Sequence, residues 1–255
     1  MPKLAANLSM LFPQLDFLDR FAAAAAAGFR FVEYQFPYAH TADDLARAAR
    51  GAGVDVVLHN LPAGDFTKGD RGIACLPGRE VEFREAVERG IEYAKAAGCP
   101  RLNCLAGLAS PDAEHFDQLV TNLRYAARKL GAAGLQLMIE PINTRSVPGF
   151  FLTGSRQAID VLNTVGEGNA FLQYDLFHMQ IMEGDLAKSI ERLLPRIGHM
   201  QLADVPERHE PGSGEINFDF LLRHIDAVGY SGWVGCEYNP RGDTVEGLRW
   251  AKPFL

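Results

Sequence analysis

The chain has 255 residues, 47% of them hydrophobic and 22% charged, with a formal net charge of -7 and a pI of about 5.5. That is enough apolar material for one large core, and α/β barrels of about 200–250 residues often form one domain. The acidic balance excludes a broad basic footprint for nucleic acid, although a local cationic seat for a small anion remains compatible with it.

In chain order, MPKLAANLSMLF carries one lysine and is interrupted by Asn7 and Ser9, which makes it a poor leader peptide and a fair strand over 4–9. FAAAAAAG at 21–28 is shorter than the roughly 20 residues a membrane span needs. It reads as the end of a helix over 14–27 packed close against a neighbour. A strand over 29–36 and a helix over 41–52 come next, followed by a strand over 54–60 and a helix over 79–98. The pattern repeats with strand 100–106 and helix 112–133, strand 135–141 and helix 153–165, then strand 170–175 and helix 184–195. Strand 197–203 with helix 217–228 and strand 232–238 with helix 244–252 complete it. Several strands follow a glycine, as in AAAGFRFVEY and GAAGLQLMIE, which suits a residue just past a helix end.

Regular βα alternation means a parallel sheet, and eight units favour a closed (β/α)8 TIM barrel of the α/β class. No linker interrupts the pattern, so residues 1–255 read as one catalytic domain. LAANLSMLFPQ after the first strand is no glycine-rich phosphate turn, and GSGEIN at 212–217 lacks the third glycine of a dinucleotide motif. No nucleotide or organic cofactor is expected. Cys75, Cys99, Cys104 and Cys236 form no C-x-x-C pair and read as reduced thiols of a cytoplasmic protein.

Alternate strand residues point into a barrel. By that parity Glu140 shares the inward side with Met138 and Gln136, Asp175 with Gln173, Gln201 with His199, and Glu237 with Gly235. Four consecutive strands therefore end in Glu, Asp, Gln and Glu at the rim where barrel active sites are built. A single acid there more often caps a helix or lies in solvent, but four in register point to a shared site. Three carboxylates in a small dry space need protons or a cation. An all-oxygen set suits Mg²⁺ or Mn²⁺ better than zinc. Asn7, Glu33, His59 and Asn103 end the earlier strands and read singly as hydrogen-bonded structural residues. His59 stands out because a long loop follows it. His178 lies three residues after Asp175, and Arg208 and His209 occupy the loop after the seventh strand.

These residues, with the stretches AANLSMLF, VEYQFPY, HNLPAGDFTKGDRGIACLPGRE, INTRSVPGFFLTG, QYDLFHMQ, HMQLADVPERHEPGSGEINF and GWVGCEYNPRG, resemble the hydroxypyruvate isomerase family within the xylose-isomerase-like TIM barrels, over nearly the whole chain. The resemblance implies that Glu140, Asp175, Gln201 and Glu237 bind a divalent ion, usually Mg²⁺, and that Glu140 and Glu237 are the proton donor/acceptor pair. It implies interconversion of hydroxypyruvate and tartronate semialdehyde by metal-assisted proton transfer through an enediolate. Related 2-oxo-tetronate isomerases share the ligand set, whereas ketose 3-epimerases use histidine at the third ligand position, where Gln201 departs from them. The substrate carboxylate needs a cationic or donor-rich seat, for which Arg208, His178, His59 and Arg71 are the candidates in falling order. A multi-metal barrel endonuclease would want more histidine ligands and a basic face. A non-catalytic metabolite-binding barrel would leave four ligand-type residues at one rim unexplained. The expected partner is a small carboxylate, not nucleic acid or membrane, and a homodimer is the expectation for a soluble enzyme.

Overall fold

The computed structural model describes residues 2–255. Its eight strands are β1 (Lys3–Asn7), β2 (Phe31–Tyr34), β3 (Asp55–Asn60), β4 (Arg101–Cys104), β5 (Gln136–Ile139), β6 (Ala170–Asp175), β7 (Ile197–Leu202) and β8 (Trp233–Cys236). They run parallel and close in sequence order, as the βα alternation predicts. The outer ring is formed by helices α1 (Arg20–Ala26), α2 (Ala42–Ala52), α3 (Glu80–Ala97), α4 (Ala113–Ala132), α5 (Ser155–Val165), α6 (Leu176–Met182), α7 (Leu186–Leu193), α8 (Phe218–Ala227) and α9 (Thr244–Gly247).

Local chemistry sets these boundaries. Thr41 accepts from the Asp44 amide at the start of α2, and Gly53, at φ 70°, ends the same helix in the left-handed region. Along α3, Phe83, Val87, Ile91 and Ala94 recur about once per turn and are buried, so that stripe faces the barrel wall. FAAAAAAG forms, as expected, the end of a short packed helix, which buries Phe21 and Ala24. Among the described residues no helix is long and apolar enough to cross a membrane.

Apolar packing forms two bodies. The larger lies between strands and helices. The smaller, Ala5, Val57, Leu58 and Met138 with Phe31, Phe171 and Trp233, lies inside the barrel near the starts of its strands. Buried polar residues replace apolar ones toward the other end, including Asn7, Glu33, Asn103, Gln173, His199 and Gln201. In register, Gln173 pairs with His199 and Asp175 with Gln201.

Three elements differ from expectation. The first helix starts at Arg20, after a 3-10 turn over Phe17–Asp19, and the last is the single turn α9 followed by a 3-10 turn over Leu248–Ala251. The extra helix α6 follows β6 directly. Asp175 caps it by accepting from the Phe177 amide at 2.8 Å, and its first four residues are all buried. A seven-residue segment whose first turn is buried on every side shows no amphipathic period, which is why periodicity misses it.

Candidate active site

Glu140 and Glu237 follow β5 and β8 directly, Asp175 ends β6, and Gln201 lies near the end of β7. All four are at most 5% exposed. Glu140 Oε2 accepts from the Asn103 amide nitrogen at 2.8 Å. Glu237 Oε1 accepts from Asn7 at 3.1 Å and from Gln35 at 2.9 Å, while its Oε2 accepts from Arg208 Nη2 at 2.6 Å. Arg208 Nη2 also lies 3.3 Å from Asp175 Oδ2.

Burial dominates the electrostatics. It raises the Glu140 carboxyl well above its usual range, with further push from the charges of Glu237 and Asp175. Burial raises Asp175 as well, against the opposing pull of Arg208. Glu237 is pushed up to about 7 by burial, again opposed by Arg208. Three carboxyls that resist ionisation together are what a cation would relieve.

The donor chemistry fits a hard divalent ion. Glu140, Asp175 and His178 each place one possible ligand atom within 4.8 Å of the others. The protonation of His178 decides its part. Asn143 Oδ1 accepts from the Ser146 amide at 2.7 Å, which turns the Asn143 side-chain nitrogen toward His178 Nδ1 at 2.6 Å. The Asn143 backbone N–H donates to the same Nδ1 at 3.3 Å. Nδ1 is therefore an acceptor, and burial holds the ring neutral, well below its usual pKa. The hydrogen sits on Nε2, aimed at Asp175 Oδ2 (3.4 Å) and Glu140 Oε1 (3.9 Å). His178 thus offers a proton to this cluster rather than a lone pair.

The cluster opens on a cavity of about 150 Å³ whose polar side includes Glu140, Glu237, His178, Arg208 and Arg71, and whose apolar side includes Phe36, Phe66, Leu105, Ile142, Val147 and Phe150. A larger groove of about 580 Å³ between α8 and the C-terminal turn, lined by Phe218, Leu222, Trp250 and Phe254, lies apart from these carboxylates.

The candidate anion-binding residues separate. Arg208, at φ 59° and with its guanidinium 4.9 Å over the Phe177 ring, is paired with carboxylates. Its loop is tied to buried Asp204, which accepts from the backbone amides of Val205, Gly212, Gly214 and Ile216 at 2.8–3.0 Å. Arg71 donates to the carbonyls of Asp70 (2.6 Å) and Phe66 (3.5 Å), and no carboxylate among the described residues pairs with it. Gly72, at φ 105°, lets this strap approach Leu105, whose carbonyl oxygen would lie 2.4 Å from an added Cβ.

His59 corrects an expectation. It stacks on Tyr34 at 5.8 Å, lies outside the cavity lining, and is held neutral by burial, with its pKa lowered to about 4. The cause is a register shift in which Val32 pairs with Val56 but Glu33 pairs with Leu58. The extra residue turns His59 toward the helices with Tyr34 and leaves Asn60 facing the cavity. Asn60 and Gln35 line the cavity beside the carboxylates, and the sequence does not single them out. For Gln35 the inward parity of Glu33 was the available signal, and for Asn60 there was none without the shift.

The family model described as xylose isomerase-like TIM barrel matches residues 21–254. A hydroxypyruvate isomerase of Escherichia coli K12 is 49% identical, with 100% of both chains covered. A 2-oxo-tetronate isomerase of Cupriavidus necator is 47% identical over 100% of this chain and 99% of that one. A crystal structure described as an AP endonuclease, family 2, from Brucella melitensis superposes with a TM-score of 0.98 at 44% identity, covering 100% and 99% of the two chains.

Proposed function

The chain belongs to the xylose isomerase-like TIM barrel family, with hydroxypyruvate and 2-oxo-tetronate isomerases as full-length relatives, and from that premise we propose that it interconverts hydroxypyruvate and tartronate semialdehyde. One observation carries the reading: two buried glutamates with raised pKa values, Glu140 and Glu237, line one small cavity beside cationic and neutral proton donors. A carboxyl raised to about 7, as that of Glu237 is, suits proton removal and return, and burial moves Glu140 in the same direction. Glu140, Asp175, Gln201 and Glu237 would hold Mg²⁺ or Mn²⁺, which when bound supplies Lewis acidity to the carbonyl and hydroxyl oxygens of the substrate.

The protein's own residues do the rest. One glutamate takes a proton from C3 of hydroxypyruvate and the other delivers one to C2, while the hydroxyl proton passes from O3 to O2. His178 Nε2–H is placed to donate to an oxygen in that exchange. Arg71 is the seat for the substrate carboxylate, because the Arg208 guanidinium is already engaged with Glu237 and Asp175. Phe36, Phe66 and Phe150 exclude water from the reacting carbons.

The 47% identity to a 2-oxo-tetronate isomerase supports a second reading in which a four-carbon acid is the substrate. The cavity of about 150 Å³ favours the three-carbon acid. It is also small beside the roughly 300–1,000 Å³ of typical ligand pockets, and the net charge of -7 offers no basic footprint, so neither supports a nucleic-acid substrate. Incubation of the protein with hydroxypyruvate or 2-oxo-tetronate, with and without Mg²⁺ and followed by NMR, tests the proposal. Metal-dependent turnover of hydroxypyruvate is expected, and turnover of neither acid would overturn it.

A further inference from the structure

A chain of hydrogen bonds inside the barrel determines which end of the Gln201 carboxamide faces which way. Asn7 Oδ1 accepts from the Ser9 backbone N–H at 3.1 Å, which leaves the Asn7 amide nitrogen to donate to Glu33 Oε1 at 2.9 Å. Glu33 Oε1 is therefore an acceptor and presents no hydrogen to its other neighbours. The group of Gln201 that meets this oxygen at 2.8 Å must be the nitrogen, since a carbonyl there would set two acceptors face to face. Gln201 Oε1 is turned to the opposite side, where it accepts from Gln173 at 2.6 Å and keeps a second lone pair.

Glu33 is itself held firmly. Its Oε2 meets His199 Nε2 at 2.6 Å, and Glu33 and His199 are both 0% exposed, so water does not compete. Gly235 makes the space, because an added Cβ would lie 2.2 Å from Glu33 Oε1.

We infer that Glu33 is a positioning residue that makes Gln201 present its oxygen, and not its nitrogen, to a divalent cation. The inference rests on the reading that Gln201 is a ligand. A carboxamide serves a hard cation through oxygen alone, and the flipped group would aim N–H donors at the ion. The same Asn7 nitrogen also donates to Glu237 Oε1, in an orientation fixed by the Ser9 amide rather than by Glu33.

The test is Mn²⁺ affinity of the full chain, measured by titration calorimetry without substrate, in Glu33→Leu, Glu33→Gln, Gln201→Leu and the Glu33→Leu/Gln201→Leu double variant. Glu33→Leu is expected to weaken binding by about 10- to 100-fold, the range for residues that orient metal ligands. That loss should vanish when Gln201 is already leucine. Glu33→Gln retains a carbonyl for Asn7 and should bind Mn²⁺ nearly as wild type does. Equal losses in Glu33→Gln and Glu33→Leu would trace the effect to charge and overturn the positioning role. So would a Glu33→Leu loss that persists without Gln201, or full affinity in Glu33→Leu alongside a loss in Gln201→Leu. Full affinity in Gln201→Leu would overturn the ligand reading itself. Should Glu33→Leu fail to fold, Gly235→Ala, which pushes the carboxylate aside, replaces it in the same cycle with the same expected loss.

Discussion

Arg208 Nη2 donates to Glu237 Oε2 at 2.6 Å in the mouth of the barrel, joining the loop after β7 to the end of β8. The pair makes Arg208 part of the charge balance of the carboxylate cluster. Loss of the guanidinium in Arg208→Ala removes the group that opposes the raised pKa of Glu237. The acidic limb of the pH–kcat profile should move to higher pH and kcat should fall. An unchanged profile with only KM raised would return Arg208 to the role of a simple anion seat.

Arg71→Ala should behave in the opposite way. Its guanidinium lines the cavity, pairs with no carboxylate among the described residues and stacks over Phe66 at 4.9 Å. Steady-state kinetics should show KM raised about tenfold or more with kcat nearly kept, the signature of lost uniform binding. A drop confined to kcat would contradict the assignment.

Glu140→Gln and Glu237→Gln keep side-chain length and an oxygen donor but remove the basic site. General acid–base groups contribute about 10²–10⁴-fold, so kcat should fall by at least that range in each. Exchange of the C3 hydrogens of hydroxypyruvate with deuterated solvent separates the two: the variant lacking the base that attacks C3 should lose exchange, whereas the other should exchange without completing the isomerisation. Wild-type turnover in both, with ion bound, would refute the two-glutamate mechanism.

The metal-free protein should lose stability as pH rises. Burial lifts Glu140, Asp175 and Glu237 above their unfolded values, Glu237 from 4.5 to about 7. Between those two values the folded state binds more protons than the unfolded chain. The Glu237 contribution is thus full below about 4.5 and is lost as pH rises through about 7. A divalent ion competes with these protons, so its stabilisation should grow with pH. Thermal melts with and without Mn²⁺ should show a larger ion-induced rise in Tm near pH 8 than near pH 5. Equal or absent rises would count against an ion site built from these carboxylates.

Asp204→Ala should destabilise the fold and loosen the Arg208 loop together. The buried carboxylate accepts from four backbone amides, and its removal leaves them without that acceptor. A loss of about 3 kcal/mol is expected in urea unfolding, with faster proteolysis within residues 205–216. A change below about 1 kcal/mol would show that the loop is held by other contacts.

The barrel was legible from sequence because its signals are local. Strand runs, amphipathic stripes such as that of α3 and glycines such as Gly53 each reflect the conformational physics of a short segment. Strand parity likewise put Glu140, Asp175, Gln201 and Glu237 on one side of their strands. Parity cannot see a register shift in a neighbour, and the extra residue in β3 turned His59 outward and Asn60 inward. The partnerships within the site were equally beyond reach, since Arg208 and Glu237 are 29 residues apart and Glu33 and Gln201 are 168 apart. Barrel closure brings such groups together, and burial then determines which donor each acceptor must take. Sequence by itself determined the fold and the rim on which the polar residues stand, because strand and helix periodicity are properties of the chain. Only the tertiary structure decided their partners, protonation and direction, because these depend on distances that exist once the eight strands have met.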